Sequence, residues 1–267
     1  KGATKSMVVL HNDLQADVRV IPDEVFGAAL QYFSGNVEHN VALRKIAIEK
    51  GYKLSEYGLV GRKTNKIVAG KTEDEIYKKL GLRYIEPELR ENTGEIDAAM
   101  KNKLPHLINL KDIRGDFHVH TKWSDGSASI DEMVQAARKR GYQYICISDH
   151  SQTRAIARGL DENRILKQIS EIKSLQKRFR DIKILTGSEV DILADGSLDF
   201  PEKILKKLDV VIGSAHTGWK TPEKQMTERL IKALENKNLD ILGHPTGRII
   251  QQREPFALNF EQIYDVA

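Results

Sequence analysis

From about residue 115 to 242, short apolar runs alternate with amphipathic segments at helical spacing, and this rhythm restricts the fold more than any other feature of the chain. Tyr144 to Ile147, Ile182 to Leu185, Val210 to Ile212 and Leu239 to Leu242 read as strands. Ser129 and Glu132 form a capping box before the stripe Ile130, Met133, Val134 and Ala137, which ends before Gly141. Ile165, Ile169, Ile172, Leu175 and Phe179 give a longer helix over 161–179; shorter helical patterns cover 202–208 and 222–236, the second with Pro222 in its first turn. Repeated strand–helix units of this length predict a parallel sheet or a barrel, with ligands at the carboxyl ends of the strands.

Five of the eight histidines lie in or just past those strands. They are His118 and His120 in Asp116-Phe-His-Val-His120, His150 after Ser148-Asp149, His216 after Gly213-Ser-Ala, and His244 after Gly243. Asp125, in a Ser-Asp-Gly turn, and Glu189 accompany them. His118 and His120 alternate with Val119 on an extended segment, so their imidazoles point the same way. Imidazole and carboxylate suit borderline divalent metals, and these seven candidate ligands exceed the four of one zinc site, so two or three ions are expected. Clustered ions suit phosphoester hydrolysis. Glu189 is the natural bridge between two ions, and Asp149 is a candidate to orient His150 from outside the ligand set. Asp191 and Asp195 lie close by in sequence but read as solvated loop acids. Lys122, Arg154, Lys220 and Arg248 are the nearest cations for phosphate, and Trp123 or Trp219 could stack on a base.

The first third has a different rhythm. Met7 to His11 and Ala16 to Ile21 flank a turn at Asn12-Asp13 and read as a hairpin, with Asp17 and Arg19 on its polar face and Ala16, Val18 and Val20 on the other. Helical patterns follow over 24–32 and 39–50, then a small antiparallel pair over 53–60 and 65–68, and a short helix capped by Thr72. Residues 86–112 carry Pro87, Gly94 and Pro105 and read as a linker with one or two helical turns. The second domain is expected to start near residue 113.

The composition is that of a globular protein, 40% hydrophobic and 30% charged, with no run approaching the roughly 20 apolar residues of a membrane helix. The single cysteine, Cys146, excludes an internal disulfide framework and reads as a buried strand residue in a reducing, cytoplasmic setting. A net charge of +4 is compatible with nucleic acid, and basic clusters occur at Arg44-Lys45, Arg62-Lys63 with Lys66, and Arg138-Lys139-Arg140.

The series His118-Val-His-Thr121, Ser124-Asp-Gly126, Ser148-Asp-His150 and Gly243-His-Pro245 resembles the signature of the polymerase-and-histidinol-phosphatase (PHP) domain. Upstream, Asp17-Val-Arg-Val, Tyr32-Phe-Ser-Gly35, Glu38-His-Asn40, Arg44 and Glu56-Tyr-Gly58 resemble the end of the palm and the thumb of a family X DNA polymerase. The resemblance implies an α/β chain. It would comprise a palm end over 1–35, a thumb over 36–90, a linker over 91–112, and an incomplete distorted (β/α)7 PHP barrel over 113–267. It further implies a prokaryotic, monomeric DNA repair or gap-filling polymerase, whose PHP domain is a manganese-dependent 3′ to 5′ exonuclease or phosphodiesterase. Manganese or zinc would be held by His118, His120, Asp125, His150, Glu189, His216 and His244, with His118, His120 and Glu189 central to hydrolysis. Asp17 would be a catalytic carboxylate at the primer 3′ hydroxyl, with magnesium or manganese for polymerisation. Tyr32, Phe33, Ser34 and Gly35 would line the nucleotide sugar, and Asn40 and Arg44 would contact the nascent pair and template. DNA with gaps or 3′ ends and a dNTP would be the partners.

Two departures qualify this picture. No Asp-x-Asp precedes Asp17, and no Asp-x-His follows His244, since Asp265 has Ala267 at the matching distance. The chain given is therefore expected not to polymerise DNA and to be weak or inactive as a nuclease. Two other readings compete: a stand-alone PHP phosphatase acting on a small phosphomonoester, and a non-catalytic DNA-binding module.

Overall fold

The computed structural model describes residues 5–267 and divides into two compact units, the first ending at Leu107 and the second starting at Ile108. In the first, β1 (Lys5–Val9) pairs antiparallel with β2 (Gln15–Arg19) as a two-stranded ribbon. Val18 and Val20, on the face opposite Asp17 and Arg19, are exposed. Next come α1 (Phe26–Ser34) and α2 (Val37–Glu49), the latter capped by the Asn36 side chain accepting from the His39 amide. The sheet that follows has three strands, β3 (Tyr52–Ser55), β4 (Gly58–Gly61) and β5 (Ile67–Ala69), all antiparallel. Then α3 (Glu73–Lys79) starts on Thr72, whose hydroxyl accepts from the Glu75 amide. Residues 95–100, read from sequence as a turn or two within a linker, form α4 (Glu95–Met100). Ile96 and Ala99 of α4 join Leu43, Leu59, Ile76 and Tyr77 in the core of this unit.

Beneath that core lies a buried polar chain. His39 contacts Glu95 Oε1 through Nδ1 at 2.6 Å and the Tyr77 hydroxyl through Nε2 at 2.9 Å. Burial lowers the His39 pKa against the opposing pull of Glu95. Burial alone would raise Glu95, but its bond to His39 and the Asn92 and Thr93 amides pull it down. Both shifts act in the same direction. As pH falls through 6.5 the unfolded chain protonates its histidine before the folded one does, and below 4.5 the unfolded chain likewise protonates Glu95 first, so folding weakens on the acid side. The His39 ring resonance should titrate with a midpoint below 6.5 in an NMR pH series; a midpoint at or above that value would contradict the buried, neutral ring.

The second unit alternates as expected: β6 (Gly115–Val119), α5 (Ile130–Lys139), β7 (Tyr144–Ile147), α6 (Glu162–Arg178), β8 (Lys183–Asp191), α7 (Glu202–Leu205), β9 (Val210–Ser214), α8 (Glu223–Leu234), β10 (Ile241–Leu242) and α9 (Phe260–Val266). The five strands are all parallel and lie in the order β10-β9-β8-β7-β6. Each strand pairs with its sequence neighbour, as in a barrel, and the result is a curled, incomplete barrel sheet. Ile145, Ile147, Val190 and Val211 face the helices, packing with Ile172, Ile169 and Leu230 among others. β8 is nine residues long, more than twice the apolar run that announces it. Its polar second half, Thr186 to Asp191, reads as loop in sequence, yet neighbours on both sides satisfy its backbone.

Candidate metal centre

Residues two apart on a strand share a face, and this rule stacks the inner side of the sheet in layers. Cys146, Val210 and Ile212 form an apolar layer, with burial pushing the Cys146 thiol up to about 12 and leaving it inert. Small residues follow, Ser148, Gly187 and Ser214; a Cβ on Gly187 would lie 2.4 Å from Cys146 Sγ. Two residues further on come His150, Glu189 and His216, with His118 and His120 beside them from β6. His244 has the other parity, that of Leu242, which packs towards the helices. Its backbone φ of 24° breaks the alternation and lets the ring turn inwards.

The five imidazoles close a ring around Glu189. Centroid separations are 5.1 Å for His118–His120, 4.4 Å for His120–His150, 5.3 Å for His150–His216, 5.4 Å for His216–His244 and 5.7 Å for His244–His118. Glu189 is buried, and its two oxygens divide the ring. Oε2 lies 3.3 Å from His118 Nε2, 3.4 Å from His120 Nε2 and 2.8 Å from His150 Nδ1. Oε1 lies 3.2 Å from His216 Nε2 and 2.7 Å from His244 Nε2. Asp125 approaches from the loop after β6, 3.3 Å from His120 Nδ1 and 3.6 Å from His150 Nε2. Three groups of ligand atoms meet within metal-binding distance: His118/His120/Glu189, His120/Asp125/His150 and His150/Glu189/His216.

The donor set fits divalent ions on grounds internal to the structure. His120 Nδ1 and His150 Nδ1 are buried without a hydrogen bond, and the short His150 Nδ1 to Glu189 distance lacks hydrogen-bond alignment. Lone pairs aimed at a shared centre rather than at each other produce this pattern. Burial and the neighbouring His150 lower the His120 pKa and keep the ring neutral, the form that ligates. In His216, burial opposes protonation, but the bonds to Asp191 and Glu189 outweigh it and raise the pKa to about 9. Burial would raise Glu189, yet the ring nitrogens of His118, His150, His216 and His244 close around it hold it far below the carboxylate range.

Two acids outside the ligand ring have roles that the sequence did not distinguish. Asp191, read as a loop acid, lies at the end of β8 and bonds His216 Nδ1, which directs Nε2 at Glu189. Asp149 does not orient His150. Its Oδ1 accepts from the amides of Thr121 and Ser124 at 2.7 and 3.1 Å and from Ser124 Oγ at 2.5 Å. Its Oδ2 accepts from Thr121 Oγ1 at 2.7 Å and from Gln168 Nε2 at 2.6 Å. This fully buried carboxylate therefore pins the loop that presents Asp125. Gln168 was detectable as a polar residue inside the Ile165/Ile169/Ile172 stripe. Asp195, in contrast, is an exposed turn residue bonded to Ser197.

Among the cations, Lys122 is spent partly on Glu132, 3.7 Å away, while Arg154, Lys220 and Arg248 make no ion pair. Trp219 is not free to stack on a base: Phe256 lies parallel on one face with centroids 4.1 Å apart, and the Arg253 guanidinium covers the other at 3.4 Å. Trp123 donates from Nε1 to Glu171 and packs against the helix-side clusters.

In the first unit, Asp17 pairs with Lys5 at 2.6 Å, which lowers its pKa, and belongs to no metal-type cluster among the described residues. Tyr32, Phe33 and Ser34 end α1, with Phe33 exposed beneath the Arg19 guanidinium, and Gly35 caps the helix. Asn40 is buried with both ends of its amide engaged, accepting from Gln31 at 2.6 Å and donating to the Tyr32 carbonyl at 2.8 Å. It acts as a bracket between α1 and α2 rather than as an open hydrogen-bonding edge. Arg44 is half-buried, with Nε on the Asn40 carbonyl.

Comparison with known proteins agrees with this division. Residues 29–91 match the DNA polymerase beta thumb family, and residues 116–266 match the PHP domain family. The chain is 40% identical along its whole length to 47% of the DNA polymerase/3′-5′ exonuclease PolX of Bacillus subtilis (strain 168). Half of the chain is 38% identical to 54% of a probable phosphatase of Thermoanaerobacter sp. (strain X514). In a separate match, 57% of the chain is 32% identical to 57% of a probable phosphatase of Caldanaerobacter subterraneus subsp. tengcongensis. The chain thus spans about half the length of each relative.

Proposed function

Since this chain belongs to the PHP-domain family and is homologous to PolX, we propose that its second unit hydrolyses DNA phosphodiesters from the 3′ end with manganese or zinc. The observation that carries the reading is the division of Glu189 between two sets of histidines, Oε2 towards His118 and His120 and Oε1 towards His216 and His244. A neutral imidazole offers one lone pair, so each histidine serves one ion. That condition would set His118 and His120 on the Oε2 side of Glu189 and His216 and His244 on its Oε1 side, and would leave His150 with Asp125 for a third ion. Divalent ions held there supply Lewis acidity for a water nucleophile and for the phosphoryl oxygens. The residues of the chain do the rest: Asp191 fixes the His216 tautomer, Asp149 sets the Asp125 loop, and Arg154, Lys220 and Arg248, each within a few residues of a ligand in sequence, are the candidate cations for phosphate.

DNA is favoured over a small phosphomonoester because a match to the polymerase beta thumb is joined to the hydrolase unit in one chain. The probable phosphatases match only 50% and 57% of the chain. Nucleotidyl transfer is not assigned to Asp17, whose carboxylate pairs with Lys5 and accepts from Gln15 and meets no second carboxylate in a metal-type cluster among the described residues.

The manganese-loaded chain, given 5′-labelled single-stranded DNA, bis(p-nitrophenyl) phosphate and p-nitrophenyl phosphate, should shorten the DNA from its 3′ end and cleave the diester, at the low rate expected of a chain in which no Asp-x-His follows His244. EDTA should abolish both and added manganese restore them. Turnover of the monoester alone would favour the phosphatase reading, and inertness of a fully loaded site towards all three would overturn the proposal.

A further inference from the structure

We propose that the loop joining β7 to α6 is a clamp for single-stranded nucleic acid, in which Ile156 wedges against a base while Arg154 and Arg158 hold the flanking phosphates. The inference rests on the phosphodiesterase reading and names the device by which that site would engage a polymer.

The base of the loop is built onto the metal centre. It leaves from His150, and it returns through Leu160, whose amide donates to the His150 carbonyl at 2.7 Å. The Ser151 amide donates to the Glu189 carbonyl at 3.0 Å. Gln152 Nε2 donates to the Asp199 carbonyl at 2.8 Å, and the Thr153 amide donates to Asp199 Oδ2 at 2.9 Å. Gly159 packs so closely that a Cβ there would lie 1.8 Å from the Ser151 carbonyl oxygen. On the far side, Arg164 Nη1 donates to the carbonyls of Arg158 and Gly159 at 2.7 and 3.1 Å. The loop is fastened at both ends and along its flank.

What this frame displays has no use within the second unit. Ile156 stands 89% exposed between two alanines, so no neighbouring side chain shelters it. Arg158, exposed, takes a left-handed φ of 57°, unusual for a bulky residue, and the Arg164 bond to its carbonyl helps to hold it there. The Arg154 and Arg158 side chains make no ion pair among the described residues. An exposed isoleucine alone means little, but an apolar tip between two unpaired guanidiniums suits a strand whose phosphates are charged and whose bases are apolar on their faces. Ile156 is four residues from Leu160, so its Cα lies within about 14 Å of the residue tied to His150. That keeps the tip within a few nucleotides of a phosphodiester at the ions.

The test is anisotropy titration of a short fluorescein-labelled single-stranded oligonucleotide with the full chain at several salt concentrations. EDTA is present, so neither cleavage nor metal contributes, and thermal unfolding checks that each variant is folded. Ile156→Ala should weaken binding about 5- to 30-fold with an unchanged salt slope. Arg158→Ala should reduce the slope by about 0.7, and the Arg154→Ala/Arg158→Ala pair by about 1.4. Folded variants that bind like the parent, with its slope, overturn the clamp. A parent chain that cleaves bis(p-nitrophenyl) phosphate when loaded but does not bind the oligonucleotide also overturns it, and leaves the hydrolase reading intact. The expected pattern in a chain that hydrolyses no diester would support the clamp and remove the nuclease proposal.

Discussion

Replacing Glu189 with Gln should remove paired metal binding and, with it, phosphodiester hydrolysis. Five imidazoles face this one buried carboxylate, and both of its oxygens are engaged by opposite halves of the ring. Gln keeps the length of the side chain but loses the charge and turns one acceptor into a donor aimed at ring nitrogens. Removing the charge that compensates a buried ionic cluster costs about 3–5 kcal/mol, so affinity should fall roughly 10²- to 10⁴-fold. Calorimetric titration with manganese is the measurement, with circular dichroism as the check on folding. A Glu189→Gln protein that takes up the parent number of ions at near-parental affinity would mean that the ring does not assemble around this residue.

The second large effect is expected at a residue that touches no ligand nitrogen. Asp149→Ala strips five donors of their common acceptor: the amides of Thr121 and Ser124, the hydroxyls of the same residues, and the Gln168 amide. Each buried donor left unpaired costs about 1–3 kcal/mol, and even with relaxation the chain should lose roughly 4 kcal/mol or more in denaturant unfolding. Asp149→Asn should be milder. Its new amide group can face Oγ1 of Thr121 and the Gln168 side chain, which can turn its unpartnered Oε1 to accept. In both variants hydrogen exchange at the Thr121 and Ser124 amides should accelerate, and the affinity contributed by Asp125 should drop about 10- to 100-fold. Stability of Asp149→Ala within 1 kcal/mol of the parent would show that the network is incidental.

The residues of the centre were legible because strand ends and ligand chemistry are both local properties. His118, His120 and His150 follow from period-two alternation, and their convergence follows from a parallel sheet whose carboxyl ends share one rim. The length of β8 was not legible, because an inward-facing strand segment of small and polar residues reads as a loop until its neighbours are known. His244 was read as a ligand from its place after a strand, although its parity with Leu242 would turn the ring outwards; the backbone φ at that residue turns it in. Trp219 looked like a stacking platform, but chain segments distant in sequence fill both of its faces. Asn40 looked like an open polar contact, but Gln31 and the Tyr32 carbonyl use its amide. In α4, Pro and Gly nearby suggested a linker, while two apolar side chains on a single turn were enough to bury it.

The amino-acid order by itself determined which donors this protein owns and that they sit where parallel strands end, since side-chain chemistry and hydrophobic period are set residue by residue. The folded chain alone decided how those donors are shared: Glu189 between two halves of a histidine ring, Asp191 behind His216, and Asp149 beneath the Asp125 loop. These assignments depend on curvature of the sheet and on hydrogen bonds between segments far apart in sequence, and no local pattern encodes distances of that kind.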